Sequence, residues 1–230
     1  MNKKSFAVCI PIMGRSITQV RDDMLRAAKE GDMVELRIDG LEKIRLKELL
    51  PFSGCPLVVT NRRKEEGGAF SGPEEERISY LKKACEYGAT YVDVEWETPE
   101  NLRNQLMARR GTTKVIVSYH EMHKTPPLED LLSLWHKMSA TGADVIKIIP
   151  YANNMEDSLT VLNFLMEVEK SKKGHKIISH CMGEDGRITR VLSPLFGSML
   201  AFASLEGIGK TAPGQMTVSQ MRQLWEILCP

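Results

Sequence analysis

Short apolar runs alternate with longer amphipathic stretches from one end of the chain to the other. Eight of the runs read as strands: Phe6–Met13, Met33–Ile38, Leu57–Thr60, Thr90–Glu95, Lys114–Ser118, Asp144–Ile149, Lys176–Cys181 and Met199–Leu205. Most are rich in Val and Ile, as parallel strands buried on both faces should be. The last, MLAFASL, carries the weakest signal, because it could equally continue a helix. Helical spacing predicts helices over 17–30, 41–50, 73–88, 98–111, 127–142, 155–173, 191–198 and 217–228. Several have end signals. Ser71-Gly72-Pro73 ahead of Glu74-Glu75-Glu76 sets a turn and then acid in a first helical turn. Thr98-Pro99-Glu100 predicts an N-cap with Pro at the first helical position, and Gly88, Gly111, Gly142 and Gly174 fall where helices stop. The helix opening at Thr217 is expected to bury Val218, Met221, Leu224, Trp225 and Leu228 along one stripe.

Strand–helix alternation repeated eight times predicts a parallel sheet closed into a single (β/α)₈ barrel, one domain over residues 1–230. No G-x-G-x-x-G follows the first run, which argues against an open dinucleotide-binding sheet, and no Gly/Ser-rich linker divides the chain. A chain of this length buries roughly 70% of its unfolded surface, enough for a core without staples. The 31 Lys and Arg and 30 Asp and Glu give a net charge of +1, so there is no basic arm for nucleic acid and no acidic tail. The five cysteines, Cys9, Cys55, Cys85, Cys181 and Cys229, are odd in number and form no C-x-x-C. That argues against a disulfide framework or zinc knuckle and fits a reducing, cytoplasmic setting. The lysines before Phe6–Met13 faintly resemble a signal peptide, but Pro11 and the shortness of the run favour a first strand. No apolar stretch approaches the roughly 18 residues a membrane span needs.

Polar residues cluster where the strands end. The second run carries Glu35, Arg37 and Asp39, and the third leads into Asn61-Arg62-Arg63 and then Glu66-Gly67-Gly68. The fourth ends Asp93-Val94-Glu95, the fifth Ser118-Tyr119-His120, and the sixth holds Lys147; Arg190 follows the seventh. In a barrel, these ends gather at the catalytic face. Lys147, inside Val145-Ile146-Lys147-Ile148-Ile149, is the sharpest signal, because lysine rarely enters such a run unless paired or functional. An imine-forming amine and a buried Lys–carboxylate pair stand about level on pattern alone. His120, next to it at the same end, suits proton transfer near neutral pH. His120-Glu121-Met122-His123 lacks metal-ligand spacing, so no metal is expected. His123, His136, His175 and His180 read as surface or packing residues, His180 least securely. Arg37, Arg62 and Arg190 are candidate anion forks, each with internal salt bridging as the plainer alternative. Glu66 either orients His120 or decorates a flexible turn, and pattern alone favours decoration.

In these motifs the chain resembles type I 3-dehydroquinate dehydratase. Glu35-Leu36-Arg37-Ile38-Asp39 is similar to the family's E-x-R-x-D strand, Thr60 to Gly68 to its T-x-R…E-G-G segment, and Asp93-Val94-Glu95 to its D-x-E. Ser118-Tyr119-His120 matches S-x-H, and Gly142-Ala143-Asp144-Val145-Ile146-Lys147 matches G-A-D-x-x-K. Ile188-Thr189-Arg190, Phe196-Gly197-Ser198 and Ala212-Pro213-Gly214-Gln215 follow in order. The resemblance implies a (β/α)₈ barrel, a homodimer, and no metal or cofactor. It implies that Lys147 condenses with the ketone of 3-dehydroquinate, that His120 moves the protons of a syn elimination, and that Glu66 orients His120. Glu35, Arg37, Arg62, Arg190, Thr211 and Gln215 would grip the substrate, with Met122, Met182 and Phe202 lining the pocket. Thr211 and Thr189 stand where Ser is common, and Asn61 where an aromatic or apolar residue is common. The N-terminus is expected to lack a capping hairpin, and no fused shikimate dehydrogenase is expected. Two rival readings are a class I aldolase acting on a carboxylated or phosphorylated keto substrate and a non-catalytic barrel that binds a small acid.

Overall fold

A computed structural model describes residues 6–171, 176–207 and 214–229. Eight parallel strands follow one another in space in the order β7-β6-β5-β4-β3-β2-β1-β8. They are β1 Val8–Met13, β2 Met33–Arg37, β3 Leu57–Thr60, β4 Tyr91–Glu95, β5 Lys114–His120, β6 Val145–Ile149, β7 Lys176–Ser179 and β8 Ala201–Phe202. Pairing of Val8 with Ala201 brings β8 onto β1. A bridge between Ile177 and Ser198, with the Met199 amide donating to the Ile177 carbonyl at 2.7 Å, joins β7 to the residues ahead of β8. The sheet therefore closes into the predicted (β/α)₈ barrel.

The helices are α1 Ile17–Glu30, α2 Leu46–Leu49, α3 Glu74–Glu86, α4 Glu100–Arg109, α5 Leu128–Ser139, α6 Met155–Lys170, α7 Arg187–Leu192 and α8 Val218–Leu228. Two differ clearly from the sequence expectation. The helix expected over 41–50 shrinks to one turn, because Arg45 leaves the helical region and Leu50, ahead of Pro51, is extended (φ −123, ψ 146). The helix expected over 191–198 begins earlier, at Arg187, and gives way to a 3₁₀ turn over Ser193–Phe196. Thr98 does not cap α4. Pro99 occupies the cap position, and the Thr98 hydroxyl instead accepts from buried Arg77 at 2.7 Å. Gly88, Gly111 and Gly142 do end their helices in left-handed conformation, at φ 83, 56 and 76; Gly174 lies outside the described residues. Thr217 caps α8 through a reciprocal box with Gln220. Val218, Met221 and Trp225 are buried as expected, whereas Leu224 and Leu228 face outward.

Two apolar layers result. The larger fills the space between strands and helices, with Ile10, Leu36, Val92, Val117 and Ile146 meeting Leu81, Trp135, Phe164 and Trp225. The smaller, Cys9, Met33, Val58, Tyr91, Ile116, Val145, Ile178 and Leu200, plugs the barrel interior. Successive residues of a strand point to opposite sides, so fixing this inner set fixes the rest.

Candidate active site

Above the inner plug, the same strand parity delivers polar side chains. Stepping by two from Met33 gives Glu35 and Arg37; from Tyr91, Asp93 and Glu95; from Ile116, Ser118 and His120; from Val145, Lys147. Register places Thr60 opposite Asp93, Glu95 opposite Ser118, and Ser118 opposite Lys147. A cavity opens there, lined by Glu35, Arg37, Arg62, Glu66, His120 and Lys147 on one side. Met122, His180, Met182, Arg190, Phe202 and Gln215 complete it. Thr211 lies outside the described residues.

Lys147 is buried, yet its nearest partners are not aliphatic. Nζ lies 3.0 Å from Asp93 Oδ2 and 3.5 Å from Glu35 Oε1, and 4.6 Å from the centre of the Phe202 ring. The lysine is thus both paired with carboxylates and exposed to the cavity, so the two sequence alternatives coexist at one side chain. Glu35 is itself held by the Thr60 hydroxyl, which donates to Oε1 at 2.7 Å.

Arg62 sits at the centre of an ion-pair network that sequence reasoning saw only in outline. It donates to Asp93 and Glu95, both at 2.8 Å, and to the Ser118 hydroxyl at 2.7 Å. Ser118 in turn donates to Asp93 at 2.5 Å. Burial works against the guanidinium, but Asp93, Glu95, Glu66 and Glu35 outweigh it and raise its pKa. Burial likewise raises Asp93, but Arg62 and Lys147 prevail and hold its carboxyl well below the usual range. Behind the network stands Arg77 of α3, fully buried, which pairs with Glu95 and Glu74 and donates to the Asn61 carbonyl. Nothing in the sequence pattern singles Arg77 out. Asn61, also fully buried, leaves both atoms of its side-chain amide without a partner among the described residues. Arg37 is bidentate to Asp39, at 2.8 and 2.7 Å.

His120 and Glu66 form a dyad. Glu66 Oε2 accepts from the His120 backbone amide at 3.0 Å and lies 2.8 Å from Nδ1. With Nδ1 taken, Nε2 is the ring nitrogen left for other partners. Burial first, then Arg62 and Lys147, push the imidazole well below its ordinary pKa. Burial pushes the Glu66 carboxyl up to about 8 against the opposing pull of Arg62.

The far wall is different in kind. Arg190, on α7, is buried, and burial pushes its pKa down to about 10. Its Nη1 lies 3.0 Å from His180 Nε2. His180, expected as a packing residue, lines the cavity instead. Its signal was strand parity, two residues beyond Ile178 and two before Met182.

A model of the type I 3-dehydroquinase family matches residues 8–229. The chain belongs to that family. A 3-dehydroquinate dehydratase of Methanococcus maripaludis is 38% identical over 96% of this chain and 99% of its own length. One from Methanothermobacter thermautotrophicus is 38% identical over 100% of this chain and 99% of its own. Among solved structures, the type I 3-dehydroquinate dehydratase of Clostridium difficile with covalently modified comenic acid superposes with a TM-score of 0.86 and 27% identity, covering 98% of this chain and 93% of that one. The protein is therefore a hydro-lyase of the type I 3-dehydroquinate dehydratase class, acting on a small molecule. That sets aside the aldolase and the non-catalytic barrel. Among the described residues no helix is long and apolar enough to cross a membrane.

Proposed function

We propose that this chain dehydrates 3-dehydroquinate to 3-dehydroshikimate by a syn elimination through an imine on Lys147. The observation that carries the reading is the meeting of Lys147 and the Glu66–His120 dyad in one cavity. Lys147 passes one ammonium proton to His120, the amine adds to the C3 ketone, and His120 returns that proton to the carbinolamine hydroxyl, which leaves as water and yields an iminium. His120 Nε2 takes a proton from C2, and the C–H electron pair flows into the iminium to give an enamine. The enamine then pushes out the C1 hydroxyl, which leaves as water with the proton that His120 returns. Hydrolysis of the new iminium frees the product and restores the amine. Glu66 orients His120 through Nδ1 and the backbone amide, leaving Nε2 to carry the proton. Asp93 and Glu35 aim the amine and offset the positive charge of the iminium.

Arg190 is assigned to the substrate carboxylate, since an arginine fork suits two coplanar oxygens. Glu35, Arg37, Arg62, Gln215 and Thr211 complete the grip on carboxylate and hydroxyls, and Met122, Met182 and Phe202 pack the ring. The Clostridium difficile relative, solved with covalently modified comenic acid, is in keeping with a covalent step. The reading also takes the enzyme as a cytoplasmic homodimer of the shikimate pathway in aromatic amino acid biosynthesis. Exposed Met155 and Leu159 on α6, with Ile188 and Leu195 on the segment packed beside it, give such a dimer an apolar surface to cover.

The test is reductive trapping. Borohydride added with 3-dehydroquinate should attach the reduced ligand to the Lys147 peptide, read by mass spectrometry. In His120→Ala the adduct should accumulate while enone absorbance rises slowly. An unmodified Lys147, together with full turnover in Lys147→Ala, would end the imine reading.

A further inference from the structure

We propose that His180 is a positioning residue whose imidazole fixes the Arg190 guanidinium in the orientation that receives the substrate carboxylate. The inference rests on the assignment of Arg190 as the carboxylate anchor. His180 follows β7, is 5% exposed, and borders the cavity with its ring 5.9 Å from that of Phe202. Its Nε2 lies 3.0 Å from Arg190 Nη1. Arginine has donors only, so the imidazole nitrogen must accept, and the ring proton belongs on Nδ1. A protonated ring would have no lone pair for this contact. Burial, Arg190 and Lys147 all act to keep it uncharged.

The contact belongs to a two-rung connection between the end of β7 and α7. Beside it, the Cys181 amide donates to the Thr189 hydroxyl at 2.8 Å, and that hydroxyl donates to the Gly186 carbonyl at 2.6 Å. On another side Gly214 lies near the guanidinium: a Cβ there would stand 3.7 Å from Arg190 Nε and 2.8 Å from the Gly183 carbonyl oxygen. Consecutive residues of the strand end thus grip consecutive residues of the helix. The pivot of the arginine fork is fixed before any ligand arrives.

The chemistry explains why the partner is an imidazole. A carboxylate in its place would orient the fork but cancel its charge, as Asp39 does for Arg37. A neutral acceptor orients the fork and leaves its positive charge for an anion. His180 does not touch the reacting carbons in this scheme, so its removal should weaken binding and spare the chemical step.

The experiment is steady-state dehydration of 3-dehydroquinate by His180→Leu, His180→Gln and His180→Asn, each also combined with Arg190→Met. Leu keeps bulk and loses the acceptor. Gln carries an oxygen about as far out as Nε2, and the Asn oxygen falls short. We expect KM to rise about tenfold in His180→Leu and His180→Asn, kcat to stay within about twofold, and His180→Gln to recover most of the loss. In the Arg190→Met background none of the three should raise KM further. Should the Leu variant fail to fold, the Gln–Asn contrast decides alone. An unchanged KM in the single variants, an equal rise with and without Arg190, or a loss confined to kcat would overturn the proposal. An unchanged KM in Arg190→Met alone, with the wild type active, would instead bring down the carboxylate-anchor reading beneath it.

Discussion

The mouth of the barrel treats its arginines in two ways. On the β2–β4 side, Arg37 and Arg62 are locked to Asp39, Asp93 and Glu95 by charge-assisted hydrogen bonds of 2.7 to 2.8 Å. On the β7–α7 side, buried Arg190 faces the neutral ring of His180. The consequences run in opposite directions: neighbouring carboxylates raise Arg62, while burial drops Arg190 to about 10. An internally neutralised arginine such as Arg62 brings the cavity hydrogen-bonding surface but little net charge, and it holds Asp93, and through it Lys147, in place. An arginine steered by a neutral group keeps its charge for an incoming anion. One residue type therefore does two jobs, and the protonation state of its partner separates them.

This contrast predicts that damage on the first side costs stability and damage on the second costs affinity. The largest effect is expected from Asp93→Asn, which leaves Arg62 and Lys147 facing a neutral amide. Breaking a buried pair in this way should lower unfolding free energy by about 3–5 kcal/mol, read by urea denaturation. A loss below about 1 kcal/mol would show that the network is dispensable. Next comes Glu66, whose carboxyl is pushed by burial from 4.5 up to about 8. Between those pH values the folded protein holds a proton that the unfolded chain releases. The contribution of this site to stability is full below about pH 4.5 and is lost as pH rises through about 8. Wild type should therefore lose stability relative to Glu66→Gln as pH climbs from 5 to 8, by on the order of 3 kcal/mol. Parallel curves for the two proteins would contradict it. The smallest effect in free energy is Arg190→Met, which keeps the aliphatic stem. KM for 3-dehydroquinate should rise about 10- to 30-fold, about 1.4–2 kcal/mol, with stability held within about 1 kcal/mol. A stability loss like that of Asp93→Asn would erase the distinction between the two sides.

Much of this was legible in the sequence because barrel strands are short and their parity is strict. Lys147 stood out against four aliphatic neighbours, and Glu35, Arg37, Asp93 and His120 fell at strand ends where a barrel collects its chemistry. Arg77 was hidden. On a helix beginning with three glutamates no sequence signal sets it apart, and only the packing of α3 on β4 turns it toward Glu95. His180 read as packing, the least securely of the four histidines because it lies near the end of the seventh strand; counting by two from Ile178 turns it inward. Salt bridging of Arg37 and Arg62 to Glu35, Asp39, Asp93 or Glu95 was the plainer expectation for each arginine taken singly, but sequence order does not say which acid faces which base. The eighth strand was faint because it has just two residues, and backbone contacts of Ser198 and Met199 complete the closure.

That slender closure has a consequence for how the molecule assembles. Val8 and Ala201 meet from opposite ends of the chain, so the junction that completes the ring is also the one with the greatest loop to close. Phe202 and Gln215, which finish the cavity wall, arrive with that same last segment. A growing polypeptide can build seven-eighths of the scaffold and still present two bare strand edges and an unfinished pocket. The cavity wall is therefore complete only when the ring is sealed.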